Sequence, residues 1–315
     1  MSVNLAGKKV FVTGATGFVG QNVVERLSDL GATVGALVLD EESRPKKNTI
    51  IFRGNIQNYL DVERAVKRFS PDYVIHLAAQ PLVNVAILSP LDTLSSNING
   101  SVNLLQSLVG EHARAIIFMS TDKVYGSNSV NASEMTELNG AGHPYDVSKH
   151  CADLIAQMYA NVFCLPIIIV RSGNIYGAGD SNYSRLIPGA IKSALLGVPL
   201  DLRSDGTMVR DYIHVDDVID AFLILLDGIE NKAIPHGSAV NLGSRIPASV
   251  LDVIGEVRKL MDGAPEVNIV NDAEHEIPHQ HLNWSYAERL GWTPKTSMED
   301  GIRKTIQWHK ERLHE

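Results

Sequence analysis

Cysteine is scarce in this sequence. Only Cys151 and Cys164 occur among 315 residues, and no CxxC pair is present. This scarcity excludes a disulfide framework and a cysteine-based metal centre as the basis of the fold. Both cysteines lie in apolar, regularly patterned stretches, so we expect buried, reduced thiols and neither a disulfide nor a nucleophile.

Positive charge and long apolar runs are also in short supply. The formal net charge is −8, which argues against nucleic acid or an anionic membrane as a partner, although a helix N-terminus or a single arginine can still bind a phosphate. No apolar run approaches the roughly 20 residues that a membrane span needs. The short run after Lys8 and Lys9 is interrupted at Thr13 and Gly14, so no signal peptide is visible and we expect a cytoplasmic protein.

Short runs rich in Val and Ile alternate with amphipathic segments. The runs predict buried strands, at 10–13, 33–39, 73–77, 115–120 and 166–171. The segments between and after them predict helices, at 21–30, 97–109, 145–162 and 216–227. Strand-helix alternation of this kind predicts an α/β fold, with a Rossmann-type doubly wound parallel sheet.

The pattern changes near Gly173, where Gly and Pro become frequent and the alternation weakens. We expect a first domain over 1–173, to which 212–245 returns. We expect a smaller α/β lobe built from 174–211 and 246–315.

The glycine-rich turn Gly14-Ala15-Thr16-Gly17-Phe18-Val19-Gly20 follows the first predicted strand and precedes the first predicted helix. Glycines at this spacing allow a tight turn and let a pyrophosphate approach the free N–H groups of the helix N-terminus. A plain tight turn has the same composition, but the strand before and the helix after favour a dinucleotide site. We therefore assign Gly14, Gly17, Phe18, Val19 and Gly20 to cofactor binding.

Asp40 ends the second predicted strand, 20 residues after Gly20. A carboxylate there can accept hydrogen bonds from a ribose and repel a 2′-phosphate, which favours NAD over NADP. The basic residues Arg44, Lys46 and Lys47 follow closely and could attract a phosphate, although a solvated basic loop explains them as well.

Tyr145 and Lys149 stand four residues apart at the start of a predicted helix, and so share a face. The pKa of a free tyrosine is about 10, but a neighbouring ammonium favours the phenolate and makes the residue usable as a base. A surface pair without function is the usual explanation for YxxxK alone. Its place in a dinucleotide-binding chain favours redox chemistry.

Several motifs together resemble the extended short-chain dehydrogenase/reductases, the NAD-dependent epimerase/dehydratase family. Beyond the glycine turn and the Tyr145–Lys149 pair, they are His76-Leu77-Ala78-Ala79-Gln80, Ser120-Thr121-Asp122-Lys123, Val170-Arg171-Ser172-Gly173-Asn174 and Arg210-Asp211-Tyr212. The resemblance covers nearly the whole chain. It implies bound NAD, a nucleotide-diphosphate sugar as substrate, and the smaller lobe as the substrate-binding lobe.

The resemblance also implies further site residues. Those expected at the cofactor are Asn55, Ile56, Leu77, Ala78, Ala79 and Asn97. Those expected at the substrate are Gln80, Asn174, Arg185 and Arg210, with the guanidinium of Arg210 pairing with the diphosphate.

The pair Asp122-Lys123 resembles the CDP-glucose 4,6-dehydratase branch of the family. The implied reaction oxidises the sugar at C4 with the help of Tyr145 and Thr121, eliminates water across C5–C6 and returns hydride to C6. Asp122 would protonate the departing hydroxyl, and Lys123 would remove the C5 proton or act as a charge clamp. A free lysine has a pKa of about 10.4, so the role of base requires burial or a nearby cation.

Other interpretations stay open. If Asp122 caps a turn and Lys123 is solvated, the chain would be a nucleotide-sugar 4-epimerase of the UDP-glucose type or a 4-ketoreductase. A catalytically silent NAD-binding regulatory protein is a more distant alternative.

Two further expectations concern metal and assembly. His275, His279 and His281 lie within seven residues, but the chemistry needs no metal and we predict none. The segments 97–109 and 145–162 are apolar enough on one face to pair with a second copy, as family members often do, so we expect a homodimer.

Overall fold

The structure is a computed structural model that describes residues 3–39, 49–261, 266–271 and 277–312. Its strands are β1 (Lys9–Thr13), β2 (Thr33–Val38), β3 (Thr49–Arg53), β4 (Tyr73–His76), β5 (Ala115–Met119), β6 (Val130–Ala132), β7 (Ile167–Ser172), β8 (Asn174–Tyr176), β9 (Leu200–Leu202), β10 (Val209–Arg210), β11 (Tyr212–His214), β12 (Ala239–Leu242), β13 (Ala248–Ser249), β14 (Val267–Ile269) and β15 (His281–Leu282).

The helices alternate with these strands along most of the chain. They are α1 (Phe18–Asp29), α2 (Tyr59–Phe69), α3 (Val83–Leu88), α4 (Pro90–Leu94), α5 (Gly100–Leu108), α6 (Pro144–Phe163), α7 (Leu186–Leu196), α8 (Val215–Glu230), α9 (Val250–Leu260), α10 (Ser285–Arg289) and α11 (Met298–Arg312). A π-helical turn, Ser95–Asn99, joins α4 to α5, and a 3₁₀ helix, Asp122–Asn128, follows β5.

Seven parallel strands form the central sheet in the order β12-β7-β5-β4-β1-β2-β3. Apolar side chains cover both of its faces. Helices α1 and α8 pack on one face, and α2, α5 and α6 pack on the other. The sheet confirms the predicted Rossmann-type fold. From β1 the chain adds β2 and β3 on one side of that strand, and it then adds β4 and β5 on the other side. This switch in direction opens a crevice at the carboxyl ends of the strands.

The five predicted strands are all present, within two residues of the predicted ends. Two strands of the central sheet, β3 and β12, are not among those predicted; both are sheet edges. The helix predicted at 97–109 in fact belongs to a longer helical stretch that begins at Pro90 and passes through the π-helical turn.

A second hydrophobic cluster lies outside the sheet, and we call it the second lobe. Its core joins α7, α9 and α11 through side chains such as Ile191, Val257 and Ile302. The residues 277–282 cross from this lobe towards the end of β5. There, β15 pairs in parallel with β6. This crossing brings second-lobe residues to the crevice of the sheet.

The prediction that both thiols are buried is wrong. Both are free, but Cys164 is exposed and Cys151 is only half-buried. Cys164 ends α6 in the left-handed conformation (φ 55°), three residues before β7 begins. In the part of the chain that the structure describes, no helix is long and apolar enough to cross a membrane.

Candidate active site

A cleft of about 830 Å³ opens at the carboxyl ends of the central strands. Most of the predicted site residues line it, although they come from distant parts of the sequence. They are Gly14, Gly17, Phe18, Val19, Gly20, Asn55, Ile56, Leu77, Ala78, Ala79, Gln80, Thr121, Asp122, Lys123, Tyr145, Lys149, Asn174 and Arg185. The switch in strand order brings them together.

The glycine turn at the end of β1 leaves no room for side chains. Gly14 has a φ of +71°, and a Cβ there would lie 2.7 Å from the backbone nitrogen of Ala78. A Cβ on Gly20 would lie 2.0 Å from the carbonyl oxygen of Gly14. Helix α1 then begins at Phe18, and no side chain of the described residues caps its N-terminus. The first N–H groups of α1 are therefore open to a diphosphate, as a dinucleotide site requires.

A buried histidine supports the floor of this cleft. Nδ1 of His76 lies 2.7 Å from Oγ1 of Thr13, and Nε2 lies 3.1 Å from Oγ of Ser101. Burial lowers the pKa of His76 to about 3, and the Lys149 ammonium lowers it further. The imidazole is therefore neutral, and its two hydrogen bonds fix the end of β4 from which Leu77 and Ala78 enter the cleft.

Two predicted residues, Asn97 and Gln80, stabilise the loop that follows β4 at the wall of the cleft. Asn97 is buried, and its side chain accepts from the backbone N–H of Gln80 at 2.7 Å and donates to Oγ of Ser148 at 2.8 Å. The Gln80 amide accepts from the N–H of Leu82 at 2.6 Å and donates to Oγ1 of Thr93 at 3.1 Å. Asn97 thus holds the loop after β4 against helix α6, and Gln80 holds the same loop against α4. Asn97 is not among the residues that line the cleft.

The predicted ribose acid, Asp40, lies outside the described residues, and so do Arg44, Lys46 and Lys47. The choice of NAD over NADP made from these residues therefore stays a prediction. The neighbouring Leu37 and Leu39 line the cleft.

Tyr145 and Lys149 lie on the first turns of α6, and both line the cleft. The ammonium of Lys149 donates to the carbonyl oxygen of Met119 at 2.5 Å. Burial lowers the pKa of Lys149 to about 8, while the nearby Asp153 carboxylate opposes that shift. Burial raises the pKa of Tyr145 to about 12, and its hydrogen bond with Thr121 acts in the opposite direction.

An ion pair beneath the site fixes α6 to the sheet. The guanidinium of Arg171 donates from Nε and Nη2 to the two carboxylate oxygens of Asp153 at 3.0 and 2.9 Å. Asp153 also accepts from Oγ of Ser120 at 2.7 Å. The Arg171 guanidinium holds the pKa of Asp153 low despite burial. Asp153 lies one turn after Lys149, so this network sets the position of the lysine in the cleft.

Thr121, Asp122 and Lys123 follow β5 and face the same cleft. Thr121, and not Asp122, caps the 3₁₀ helix, because its Oγ1 accepts from the N–H of Lys123 at 3.3 Å. Asp122 is buried: Oδ1 accepts from Oγ1 of Thr121 at 3.2 Å, and Oδ2 has no partner among the described residues. Burial raises the pKa of Asp122 to about 6, and the charge of Lys123 opposes this shift.

Lys123 is not the solvated residue of a plain turn. It is partly buried, and Nζ donates to Oε1 of Gln280 at 2.6 Å. Gln280 comes from the second lobe and is itself fully buried. Asp122 and Lys123 thus form an acid and an amine side by side on one wall of the cleft.

The predicted substrate residues divide into two groups. Asn174 and Arg185 line the cleft, and Nη1 of Arg185 donates to both oxygens of the buried Asp180 carboxylate at 3.0 Å. Arg210 is buried beside the cleft, where its Nη1 donates to the carbonyl oxygens of Val209 and Pro278. Its guanidinium is close enough to Asp122 to lower the pKa of that carboxyl.

Among the described residues, no group of histidine, cysteine and acidic side chains could hold a metal ion. His281 and His279 lie 3.1 Å apart through their ring nitrogens. His275 lies outside the described residues.

Sequence reasoning missed part of the cleft. The missed residues are Thr13, Thr16, Leu37, Leu39, Gly54, Gln57, Pro81, Val83, Ser96, Met119, Ser120, Ser172, Gly173, Ile175, Tyr176, Asp180, Leu186, Ile187, Pro188 and Tyr212. Most adjoin predicted residues at strand ends, and that adjacency is the signal that could have found them. Gln280 lies 157 positions along the chain from its partner Lys123, so no neighbouring motif pointed to it.

Comparison with known families agrees with this geometry. The model of the NAD dependent epimerase/dehydratase family matches residues 10–243. The chain therefore belongs to that family. The match runs from β1 to the end of β12 and so includes the glycine turn, Asp122 and Tyr145.

Individual relatives include both dehydratases and epimerases. The chain is 29% identical to CDP-glucose 4,6-dehydratase of Salmonella typhimurium, over 96% of this chain and 91% of the relative. The crystal structure of dTDP-glucose 4,6-dehydratase from Streptomyces venezuelae with NAD bound is 26% identical, with a TM-score of 0.88 over 97% of this chain and 98% of that one. UDP-glucose 4-epimerase of Thermotoga maritima is 25% identical, with a TM-score of 0.88 over 97% and 99%.

Proposed function

We propose that this protein is an NAD-dependent nucleotide-sugar 4,6-dehydratase that forms a 4-keto-6-deoxy sugar, with CDP-glucose as the leading substrate. One observation carries the proposal: a buried carboxyl, Asp122, and an amine, Lys123, lie together in a cleft that also holds Tyr145 and Lys149. Oxidation at a sugar hydroxyl needs only the last two. An acid beside an amine suits the elimination of water.

The glycine turn and the open N-terminus of α1 fit the diphosphate of NAD. Leu77, Ala78 and Ala79 would form the floor of its site, and Asn55 and Ile56 its adenosine side. When bound, NAD supplies a hydride acceptor and a positive ring charge that favours the phenolate of Tyr145. Asp40 remains our candidate for the ribose hydroxyls.

Tyr145 and Thr121 act at the sugar C4 hydroxyl in this account. Tyr145 takes the proton of that hydroxyl as C4 is oxidised, and Thr121 hydrogen-bonds the same oxygen. Lys149 remains largely protonated at neutral pH, because its pKa is about 8. Its positive charge, held near the sheet by Met119, favours the phenolate.

The carbonyl at C4 acidifies the C5 proton, and the elimination then requires a base at C5 and an acid at C6. Asp122 is placed as the acid, because burial raises its pKa to about 6 and keeps part of it protonated near neutral pH. Lys123 is the side chain that remains for the C5 proton. The C5–H and C6–O bonds would break, a C5–C6 double bond would form, and water would depart with the proton of Asp122. The hydride removed from C4 would then be returned to C6, and a proton to C5.

The substrate diphosphate would lie towards the second lobe. Asn174 and Arg185 line that end of the cleft and support this orientation. Arg210 supports this orientation less directly, because its Nη1 donates to backbone carbonyl oxygens beside the cleft. Gln80 would act through the loop it holds.

Incubation with CDP-, dTDP-, UDP- and GDP-hexoses, followed by mass spectrometry, tests the proposal. We expect the loss of one water from one of them. An unchanged mass with altered sugar stereochemistry would instead identify a 4-epimerase, which the similarity to UDP-glucose 4-epimerase makes the second candidate. Bound NAD without turnover of any sugar would identify a regulatory protein.

The division of the chain is part of the proposal. We assign 1–173 and 212–245 to the NAD-binding domain, which is consistent with β12 at the edge of the central sheet. We assign 174–211 and 246–315 to the substrate-binding lobe. We also place the enzyme in the cytoplasm, in a deoxysugar or polysaccharide pathway.

An apolar stripe on α6 supports the proposed homodimer. Val147, Leu154, Met158 and Val162 recur at helical spacing and are 36%, 49%, 41% and 65% exposed. Leu91 of α4 is 75% exposed as well. In one copy of the chain these apolar side chains are exposed to water, and the α6 helix of a second copy packed against them would cover them.

Sedimentation at micromolar concentration tests the dimer. We expect a dimer for the native chain and a monomer for Leu154→Glu. A matched control is Leu251→Glu, because Leu251 is 45% exposed on α9, away from the stripe. A native chain that sediments as a monomer would refute this part of the proposal.

A further inference from the structure

Gln280 is buried in the second lobe, yet its side chain reaches the wall of the cleft formed by β5. Its Oε1 accepts from Nζ of Lys123 at 2.6 Å, and its own exposure is 0%. Nζ is the donor in this contact, so the amide presents its oxygen to Lys123 and its nitrogen points away from that amine. The amide nitrogen, Nε2, then has no partner among the described residues.

The backbone on both sides of Gln280 is held firmly. Its N–H donates to the carbonyl oxygen of Val209 at 3.0 Å, and the N–H of Val209 donates to the carbonyl oxygen of Pro278 at 2.9 Å. Two residues further on, the N–H of Leu282 donates to the buried carboxylate of Asp211 at 2.7 Å. The position of the Gln280 amide is therefore set by the fold and not by the cleft.

Lys123 has no such constraint of its own. A lysine side chain has four rotatable bonds and loses considerable entropy when it is held in one place. Among the described residues, Gln280 is the only hydrogen-bond partner of the Lys123 amine, and this contact crosses from one lobe to the other. Asp122, the neighbouring residue, keeps one buried carboxylate oxygen that has no partner among the described residues.

We propose that Gln280 is a positioning residue for the elimination step: it anchors the Lys123 amine beside Asp122, so that the second lobe sets the geometry of the acid–amine pair. The inference rests on the proposed dehydratase function and deepens it. Tyr145, Thr121 and Lys149 lie outside this contact. Loss of Gln280 should therefore impair elimination and leave oxidation at C4 intact.

Gln280→Leu keeps the length of the side chain approximately and removes the acceptor. With the nucleotide sugar that the native enzyme dehydrates, we expect water loss, measured by mass spectrometry, to slow on the order of tenfold or more. Reduced cofactor, followed by its absorbance, should form at the native rate and accumulate. Gln280→Glu keeps an acceptor at the same place, and we expect it to restore water loss towards the native rate.

A double-mutant cycle separates positioning from a general effect on the fold. In a Lys123→Met background, Gln280→Leu should cause no further loss, because its partner is already absent. His281→Gln is the matched control on the same segment; it removes the imidazole that contacts His279 and leaves Gln280 and Lys123 unchanged, so it should behave as native.

Three results would overturn the inference: native water loss in Gln280→Leu, equal slowing of both steps, or additive losses in the double variant. If the native enzyme removes no water from any of the nucleotide sugars, the proposed function fails first, and this inference fails with it.

Discussion

Asp122→Asn removes the proposed acid while changing the volume of the side chain little. Burial raises the pKa of Asp122 to about 6, so its protonated fraction falls as pH rises through that value. The fraction is roughly three-quarters at pH 5.5 and roughly 3% at pH 7.5, so elimination limited by this acid should fall about 25-fold between them. In the variant we expect elimination to fall about 10²- to 10⁴-fold and to lose this pH dependence.

The assay follows the two steps separately. Rapid mixing reports the formation of reduced cofactor, which reflects oxidation at C4, and quenched samples report the loss of water by mass. Oxidation should persist in Asp122→Asn, because Tyr145, Thr121 and Lys149 are unchanged. A variant that eliminates water at the native rate, or with the native pH dependence, would refute the assignment of the acid.

The same substitution has a consequence for stability. The carboxyl of Asp122 has a higher pKa in the folded protein than in the unfolded chain, so the unfolded state releases its proton more readily and stability falls as pH rises from about 4 to 6. At neutral pH the buried carboxylate therefore lowers the free energy of unfolding by the full amount. For a pKa raised to about 6, that amount is about 3 kcal/mol. Asp122→Asn should recover part of that in urea unfolding at pH 7.5, and none at pH 3.

Two further substitutions test the cofactor site and its support. Gly20→Ala should abolish NAD binding in calorimetry, because the new Cβ would lie 2.0 Å from the Gly14 carbonyl oxygen. Gly255→Ala should bind normally, because a Cβ there would meet no described residue outside its own helix within 4 Å. Asp153→Asn leaves the buried Arg171 without its carboxylate and should lower the free energy of unfolding by about 3–5 kcal/mol in urea. Native NAD binding in the first variant, or native stability in the second, would contradict these readings.

The fold was accessible from the sequence because its strands are short, buried and regularly spaced. Runs such as 115–120 bury nearly every side chain, and the amphipathic segments between them cover both faces of the sheet. The edge strand β3 was harder to predict, since its side chains are only partly buried. The exposure of Cys164 was not predictable from apolar neighbours, because it depends on the left-handed end of α6.

The site was accessible where its residues sit next to one another in motifs. The glycine turn and the Tyr145–Lys149 pair can be recognised from local spacing together with the strand and helix predicted around them. Gln280 does not, because its contact with Lys123 joins residues 157 positions apart. The burial that raises the pKa of Asp122 is likewise a property of the assembled cleft, not of the Thr-Asp-Lys sequence.

The central claim is that the chain expels water across C5–C6 of a nucleotide sugar, and turnover in heavy water tests it most directly. The C5 proton leaves to a side chain and is replaced from solvent, while hydride returns to C6. After back-exchange of the hydroxyls, the account predicts a product that has lost one water and gained one carbon-bound deuterium. A product of unchanged mass without deuterium on carbon would contradict it.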